Sequence, residues 1–214
     1  QGRKGLIMNE IKILVVDDHA VMRMGLSSIL NANKGLCVVG EAEDGRSAIA
    51  MTAKLTPDVI LMDIMMPGMD GAEATAQIRK NFPDVKILIF TNYDAVDAIA
   101  HALAAGANGA ILKNIDYKDL VSTIRTVAKG GRIIAPEIQR SIKESPPVEE
   151  LSEKQLSILR SIIRGLTDAD IACEHSMTAN GVRDAITKIY TKLGAANRAE
   201  AVAIALRKQL LPLQ

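Results

Sequence analysis

Five side chains capable of joint chemistry stand at the ends of short apolar runs in this 214-residue chain. Asp17 and Asp18 follow Ile11–Val16, Asp63 follows Val59–Met62, Thr91 follows Ile87–Phe90, and Lys113 follows Ala110–Leu112. If those runs are parallel strands, their carboxyl ends face one crevice, where open α/β sheets bind ligands. Three carboxylates there repel one another. A hard divalent cation relieves that repulsion, and Mg²⁺ prefers a few carboxylates together with water and phosphate oxygens. Thr91 adds a hydroxyl donor, and Lys113 a compact positive charge for a phosphate oxygen. A carboxylate nucleophile, a divalent cation, a hydroxyl and a lysine are what in-line phosphoryl transfer needs. Singly, each residue reads as an ordinary loop residue. Together at four strand ends they read as a site, all the more because Asp63 lies in the apolar run Val59–Met66, where an unpaired carboxylate is costly.

The elements that must position them follow from periodicity. Short apolar runs at Ile11–Val16, Cys37–Val39, Val59–Met62, Ile87–Phe90 and Ala110–Leu112 alternate with helical patterns at 20–31, 46–54, 71–80, 95–105 and 116–129. Such alternation specifies a parallel sheet covered on both faces. The expected first domain is therefore a five-stranded α/β unit over residues 8–130. Residues 1–7 read as a leader or expression remnant, with Met8 as the native start. Residues 131–150, with Pro136, Pro146 and Pro147, read as a linker holding one short helix near 136–143.

From Leu151 to Leu211 the pattern is helical, within a last domain over 151–214. Ser152 with Gln155, Thr167 with Asp170, Thr178, and Asn197 with Glu200 place side-chain oxygens where first-turn N–H groups need acceptors. Four helices are predicted, at 152–164, 168–175, 179–193 and 197–209, and Gly165 and Gly194 mark two of the ends.

Charge divides along the same lines. The net charge of +1 sums an acidic 8–130 segment with 12 basic and 15 acidic residues and a basic 151–214 segment with 9 and 6. Overall neutrality therefore does not exclude nucleic acid, although a surplus of three charges is modest for a DNA binder. Five aromatics and no Trp argue against stacking on bases. No apolar stretch approaches a membrane span. Cys37 and Cys173 lack metal-type spacing and fit a reducing cytoplasm. His19, His101 and His175 stand in no recognisable metal or triad spacing, and the methionines between 62 and 69 read as packing.

The segments ILVVDDH (Ile13–His19) and LMDIMMPGMDG (Leu61–Gly71), with Thr91 and Lys113, resemble the receiver domain of two-component response regulators. That resemblance implies a flavodoxin-like fold, Asp63 as phospho-acceptor, and Asp17 and Asp18 organising Mg²⁺. It also implies a Mg²⁺ ligand in the Met65 backbone carbonyl, and a switch pair in Thr91 and Lys113. One position departs from the pattern: Ala110 stands where such receivers usually carry an aromatic, with Tyr93 as a partial substitute. Residues 151–210 resemble the helix-turn-helix domain of the NarL/FixJ (LuxR-type) family. The resemblance rests on Leu151-Ser152, Leu159, Gly165-Leu166-Thr167, Ile171-Ala172, Val182, Ile189, Lys192-Leu193-Gly194, Asn197-Arg198 and Ala201-Val202.

Such a domain lays the helix 179–193 in the DNA major groove. Val182, Ile186, Ile189 and Leu193 form its apolar stripe. The other face carries Asn180, Arg183, Asp184, Thr187, Lys188 and Thr191, with Lys192 nearby, a mixture suited to base edges and phosphates. Asn180, Gly181 and Ala185 depart from the family's usual residues, and Gly181 weakens a first turn by up to about 1 kcal/mol relative to Ala.

The expectation is a cytoplasmic transcriptional regulator, not an enzyme acting on a separate substrate. Its partners would be a sensor histidine kinase, double-stranded DNA, a second copy of itself on activation, and RNA polymerase, with no membrane. Two rivals stay open: a phosphorylation-independent regulator, suggested by Ala110, and a protein-binding regulator with a degenerate helix-turn-helix, suggested by Gly181 and Asp184.

Overall fold

The computed structural model describes residues 10–92, 96–144, 149, 151–208 and 210–211. Tyr93, the leader 1–7 and the linker residues Pro146 and Pro147 lie outside that set. Contacts divide the chain near residue 147 into two units.

The first unit runs β1 (Ile11–Val16), α1 (Ala20–Asn31), β2 (Leu36–Ala42), α2 (Gly45–Leu55), β3 (Val59–Met62), α3 (Gly71–Asn81), β4 (Lys86–Thr91), α4 (Val96–Ala104), β5 (Gly109–Leu112) and α5 (Tyr117–Ala128), then β6 (Ile133–Ile134) and α6 (Pro136–Glu144). All pairings are parallel, in the order β2-β1-β3-β4-β5-β6. The first five strands follow the flavodoxin-like winding, with the switch of direction at β1 and β3.

Strand alternation builds two cores. Leu14, Ile60, Ile87 and Ile89 face α2, α3, α4 and α6, joined by Ala48, Ile78, Ile99 and Ile138. Ile13, Val15, Leu61 and Leu88 face α1 and α5, joined by Leu26, Leu30, Ile124 and Val127. Residues one apart along a strand thus feed opposite layers, which is why the runs are apolar throughout rather than alternating.

The sheet has one strand more than periodicity predicts. Ile133 and Ile134 extend it beyond β5, and Ala135 N–H donates to the Ala110 carbonyl at 2.9 Å. A two-residue strand is too short to leave a pattern of its own. Its place is made by Gly109, where an added Cβ would lie 2.2 Å from the Ile133 carbonyl oxygen. The helix expected near 136–143 is present as α6, and Ile138 from it is 1% exposed in the first core. Residues 133–144, read as linker, therefore pack on the α/β unit.

The second unit comprises α7 (Glu153–Ile163), α8 (Asp168–Glu174), α9 (Ala179–Leu193) and α10 (Arg198–Arg207). Each begins at the oxygen the sequence supplies: Ser152 accepts from Gln155 N at 3.3 Å, Thr167 from Asp170 N at 3.2 Å, Thr178 from Gly181 N at 3.1 Å, and Asn197 from Glu200 N at 2.9 Å. Ile158, Leu159, Ile162, Ile171, Val182, Ile189 and Ala201 form one core.

Since Ile138 is a core side chain, Ile138→Ala should destabilise the α/β unit by about 2–5 kcal/mol. Urea denaturation measures this; a change within about 0.5 kcal/mol, as at an exposed linker position, would show that α6 does not belong to the fold.

Candidate phosphoryl-acceptor site and DNA-reading helix

Register brings the strand-end residues together. Val16 pairs with Met62, so Asp17 and Asp63 emerge side by side, and Asp63 N–H donates to the Val16 carbonyl at 2.9 Å. Thr91 pairs with Leu112, so Lys113 follows directly, with its N–H on the Thr91 carbonyl at 2.9 Å.

Lys113 Nζ lies 2.7 Å from Asp17 Oδ2 and 2.6 Å from Asp63 Oδ2. Asp17 is 1% exposed and Asp63 4%. Burial pushes the Lys113 ammonium toward its neutral form, but the hydrogen bonds and charges of Asp17 and Asp63 outweigh it and raise the pKa above 10.5. Thr91 is buried at the end of β4, and among the described hydrogen bonds its hydroxyl does not reach Asp63 or Lys113.

The loop after β3 is clamped. Ile64 N–H donates to Asp63 Oδ1 at 2.7 Å, and Gly71 N–H donates to the Ile64 carbonyl at 3.0 Å. At Gly71 a Cβ would fall 2.0 Å from the Asp63 carbonyl oxygen, so only glycine lets α3 start against Asp63. Met65 is mostly exposed on this loop.

Two residues that spacing did not single out hold the β1–α1 loop. Arg23 Nη1 donates to the Asp17 carbonyl at 2.7 Å, and its Nε lies 3.7 Å from Glu41 Oε2. His19, which follows the acidic pair and stood in no metal or triad spacing, turns onto that pair: its Nδ1 lies 2.6 Å from Asp18 Oδ1 and 3.3 Å from Asp17 Oδ1. The only sequence signal was its adjacency to the acidic pair. His175 likewise has a partner, Ser161 Oγ, at 3.0 Å from its Nε2.

The donor set suits a hard divalent cation. Asp17 Oδ2 and Asp18 Oδ1 are buried, with Lys113 Nζ 2.7 Å from the first and His19 Nδ1 2.6 Å from the second. Buried carboxylate oxygens of this kind are what Mg²⁺ takes as ligands.

In the second unit α9 is a single helix despite Gly181. Val182, Ile186, Ile189 and Leu193 are buried, while Asn180, Arg183, Asp184, Thr187 and Lys188 are exposed and Lys192 is half-buried. The turn from α8 places Ser176 in the left-handed region at φ +51°. That strain on a non-glycine residue was not legible from residue type.

Fold and site define a response regulator with a helical DNA-binding domain, and the comparisons bear this out. Residues 13–125 match the response regulator receiver domain, and residues 149–205 match the bacterial regulatory proteins of the luxR family. The chain belongs to the LuxR-type two-component response regulators. It is 36% identical over 206 residues to response regulator protein VraR of Staphylococcus aureus, covering 94% of this chain and 99% of that one. Response regulator ChrA of a heme-sensing two-component system is 33% identical, covers 95% of this chain and 100% of its own, and has a TM-score of 0.57. RcsB in a DNA complex, at 24% identity, shares the fold with a TM-score of 0.63, covering 94% of this chain and 99% of its own. Among the described residues no helix is long and apolar enough to cross a membrane.

Lys113→Ala should cost about 3 kcal/mol in a chelator, because it leaves two buried carboxylates facing each other. Mg²⁺ at about 100 times its Kd should then restore roughly 2.7 kcal/mol if the cation binds only the folded site. The raised pKa gives a second check. Stability from Lys113 is complete below 10.5 and is lost as pH rises through the higher folded value. Urea midpoints should therefore fall on the alkaline side more steeply in wild type than in Lys113→Ala.

Proposed function

We propose that Asp63 accepts a phosphoryl group from a sensor histidine kinase, or from a small phosphodonor, and that this controls dimerisation and DNA binding. The observation that carries the reading is the Lys113 ammonium held 2.6 Å from Asp63 Oδ2 at the carboxyl edge of the sheet. An Asp63 oxygen attacks phosphorus in line while the donor nitrogen or oxygen leaves, and Lys113 holds a developing negative oxygen. Asp17, Asp18, Asp63 and the Met65 carbonyl would hold Mg²⁺, which when bound neutralises charge on the phosphoryl oxygens. Thr91, one strand from the acceptor, supplies the switch hydroxyl. The phosphoryl group adds about −1.5 to −2 charges, and the exchange of contacts at Lys113 and Thr91 is the event that biases the fold.

Output passes to α9. Its exposed Arg183 and Lys188, with Asn180, Asp184, Thr187 and Lys192, would meet duplex DNA, Arg183 and Asn180 at base edges and the lysines at phosphates. The surplus of basic charge on this segment is small, so paired copies bound to adjacent half-sites supply affinity that one copy lacks. Leu206 on α10, 54% exposed beside the buried Ala201, Ile204 and Ala205, is an apolar contact open to a second copy. RNA polymerase is the partner such a DNA-bound dimer would engage, in the cytoplasm where the DNA lies.

A small phosphodonor with Mg²⁺ should label wild type and leave Asp63→Asn unlabelled; an unlabelled wild type would overturn the acceptor reading in favour of control by a partner or ligand. For DNA, the logarithm of affinity should fall steeply with the logarithm of salt, and Lys188→Ala should reduce that slope by about 1. A phosphorylated dimer that ignores duplex at low salt would instead make α9 a protein-binding surface.

A further inference from the structure

Residues 133–144 are a strap that the phosphoryl chemistry leaves without a task. After α5 the chain returns along the outer edge of β5 as β6, and α6 then packs against α4. The strap is lightly held. Its strand is two residues long and pairs only Ile133 with Gly109 and Ile134 with Ala110, the shortest pairing in the sheet. Ala135 N–H adds one bond to the Ala110 carbonyl, at 2.9 Å. Gln139 Nε2 donates to the Ile134 carbonyl at 3.1 Å, a bond within the strap rather than to the sheet. Among the described residues of the strap Ile138 alone is buried, while Glu137, Gln139, Arg140 and Lys143 are exposed.

The strand that carries the strap also leads to the lysine of the acceptor edge. β5 has four residues, and its Ala110 holds the strap through the main chain. Three positions later Lys113 donates its N–H to the Thr91 carbonyl and sets Nζ 2.6 Å from Asp63 Oδ2. Ala110 lies in the same core layer as Ile89, Ile99 and Ile138, where the strand contributes only a methyl and the strap an isoleucine. Chain connectivity gives the strap a consequence. With α6 docked, residues 145–152 separate it from α7, a tether of eight residues that spans at most about 30 Å. With the strap free, the tether is 129–152 and reaches up to about 85 Å. Adjacent DNA half-sites lie roughly 34 Å apart, between those two limits.

We propose that the β6–α6 strap is a release device: it stays on β5 and α4 while Asp63 is unmodified, and phosphorylation of Asp63 frees it, lengthening the tether of the helical unit. This rests on reading Asp63 as the phospho-acceptor. When Lys113 turns from Asp17 to the phosphoryl oxygens, one end of a four-residue strand changes its partners. The two pairs that hold β6 at the other end open first, because local opening starts at the elements with the fewest buried contacts.

Hydrogen exchange of the full chain is followed by mass spectrometry, with Mg²⁺ alone and with Mg²⁺ plus acetyl phosphate, and the intact mass reports the phosphoryl group. In phosphorylated wild type the amides of 133–144 should exchange about tenfold faster or more, while those of α2 stay unchanged. Asp63→Asn should show no change with the donor. Ala110→Phe forces a ring into the layer that Ile138 occupies and should give fast exchange over 133–144 without any donor. The wild-type comparison stands whether or not that variant folds. Exchange over 133–144 that is unchanged or slower in wild type carrying the phosphoryl group would overturn the proposal. A wild type that takes up no phosphoryl group overturns the acceptor reading, and the proposal falls with it; the intact mass tells this failure from the other.

Discussion

The Lys113 ammonium between the Asp17 and Asp63 carboxylates is the contact on which the first unit turns. Two carboxylates with almost no exposure cannot stand side by side as anions without a cation between them. The bridge joins the ends of β1, β3 and β5, three strands far apart in sequence, and so ties the registry of the sheet to the charge balance of its edge. Any further charge placed at this edge would compete with, or add to, the ion pairs that hold those strand ends. Burial alone disfavours the charged form of Lys113; the hydrogen bonds and charges of the paired acids outweigh it.

Small residues decide how closely the rest of the unit approaches this edge. Gly71 lets α3 begin against the Asp63 carbonyl, and Gly109 lets β6 lie beside β5. In both places a single methyl would collide with a backbone oxygen, so the constraint is steric and absolute rather than a matter of propensity. Beside Gly109, Ala110 is wholly buried and its carbonyl accepts from Ala135. With β6 and α6 against it, the region carrying the departure from the receiver pattern is a packed surface, and Ile138 is a core residue of the same layer as Ile89 and Ile99.

The helical unit works by division of labour on one helix. Val182, Ile186, Ile189 and Leu193 anchor α9 in a core with α7, α8 and α10, which leaves the polar side chains of the opposite face exposed. Thr178 repairs the weakness introduced by Gly181, because its hydroxyl accepts the Gly181 N–H and closes the first turn. The departures from the family's usual residues therefore change the exposed face without preventing the helix from forming.

The sequence by itself determined the strand ends, the helix starts and the division into an acidic and a basic part. These follow from local rules: apolar runs of strand length, capping oxygens at fixed offsets, and charge. It was enough to name Asp17, Asp18, Asp63, Thr91 and Lys113 as strand-end residues and to place the apolar stripe of α9. Only the tertiary structure decided that β6 completes the sheet, that 133–144 packs as fold rather than trailing as linker, and that His19 turns toward Asp18. Those outcomes depend on contacts between residues distant in sequence, or on a side-chain rotation, and neither leaves a period. Ile133–Ile134 is too short to signal a strand until β5 offers it an edge, and a histidine after two acids has no direction until the β1–α1 loop is folded.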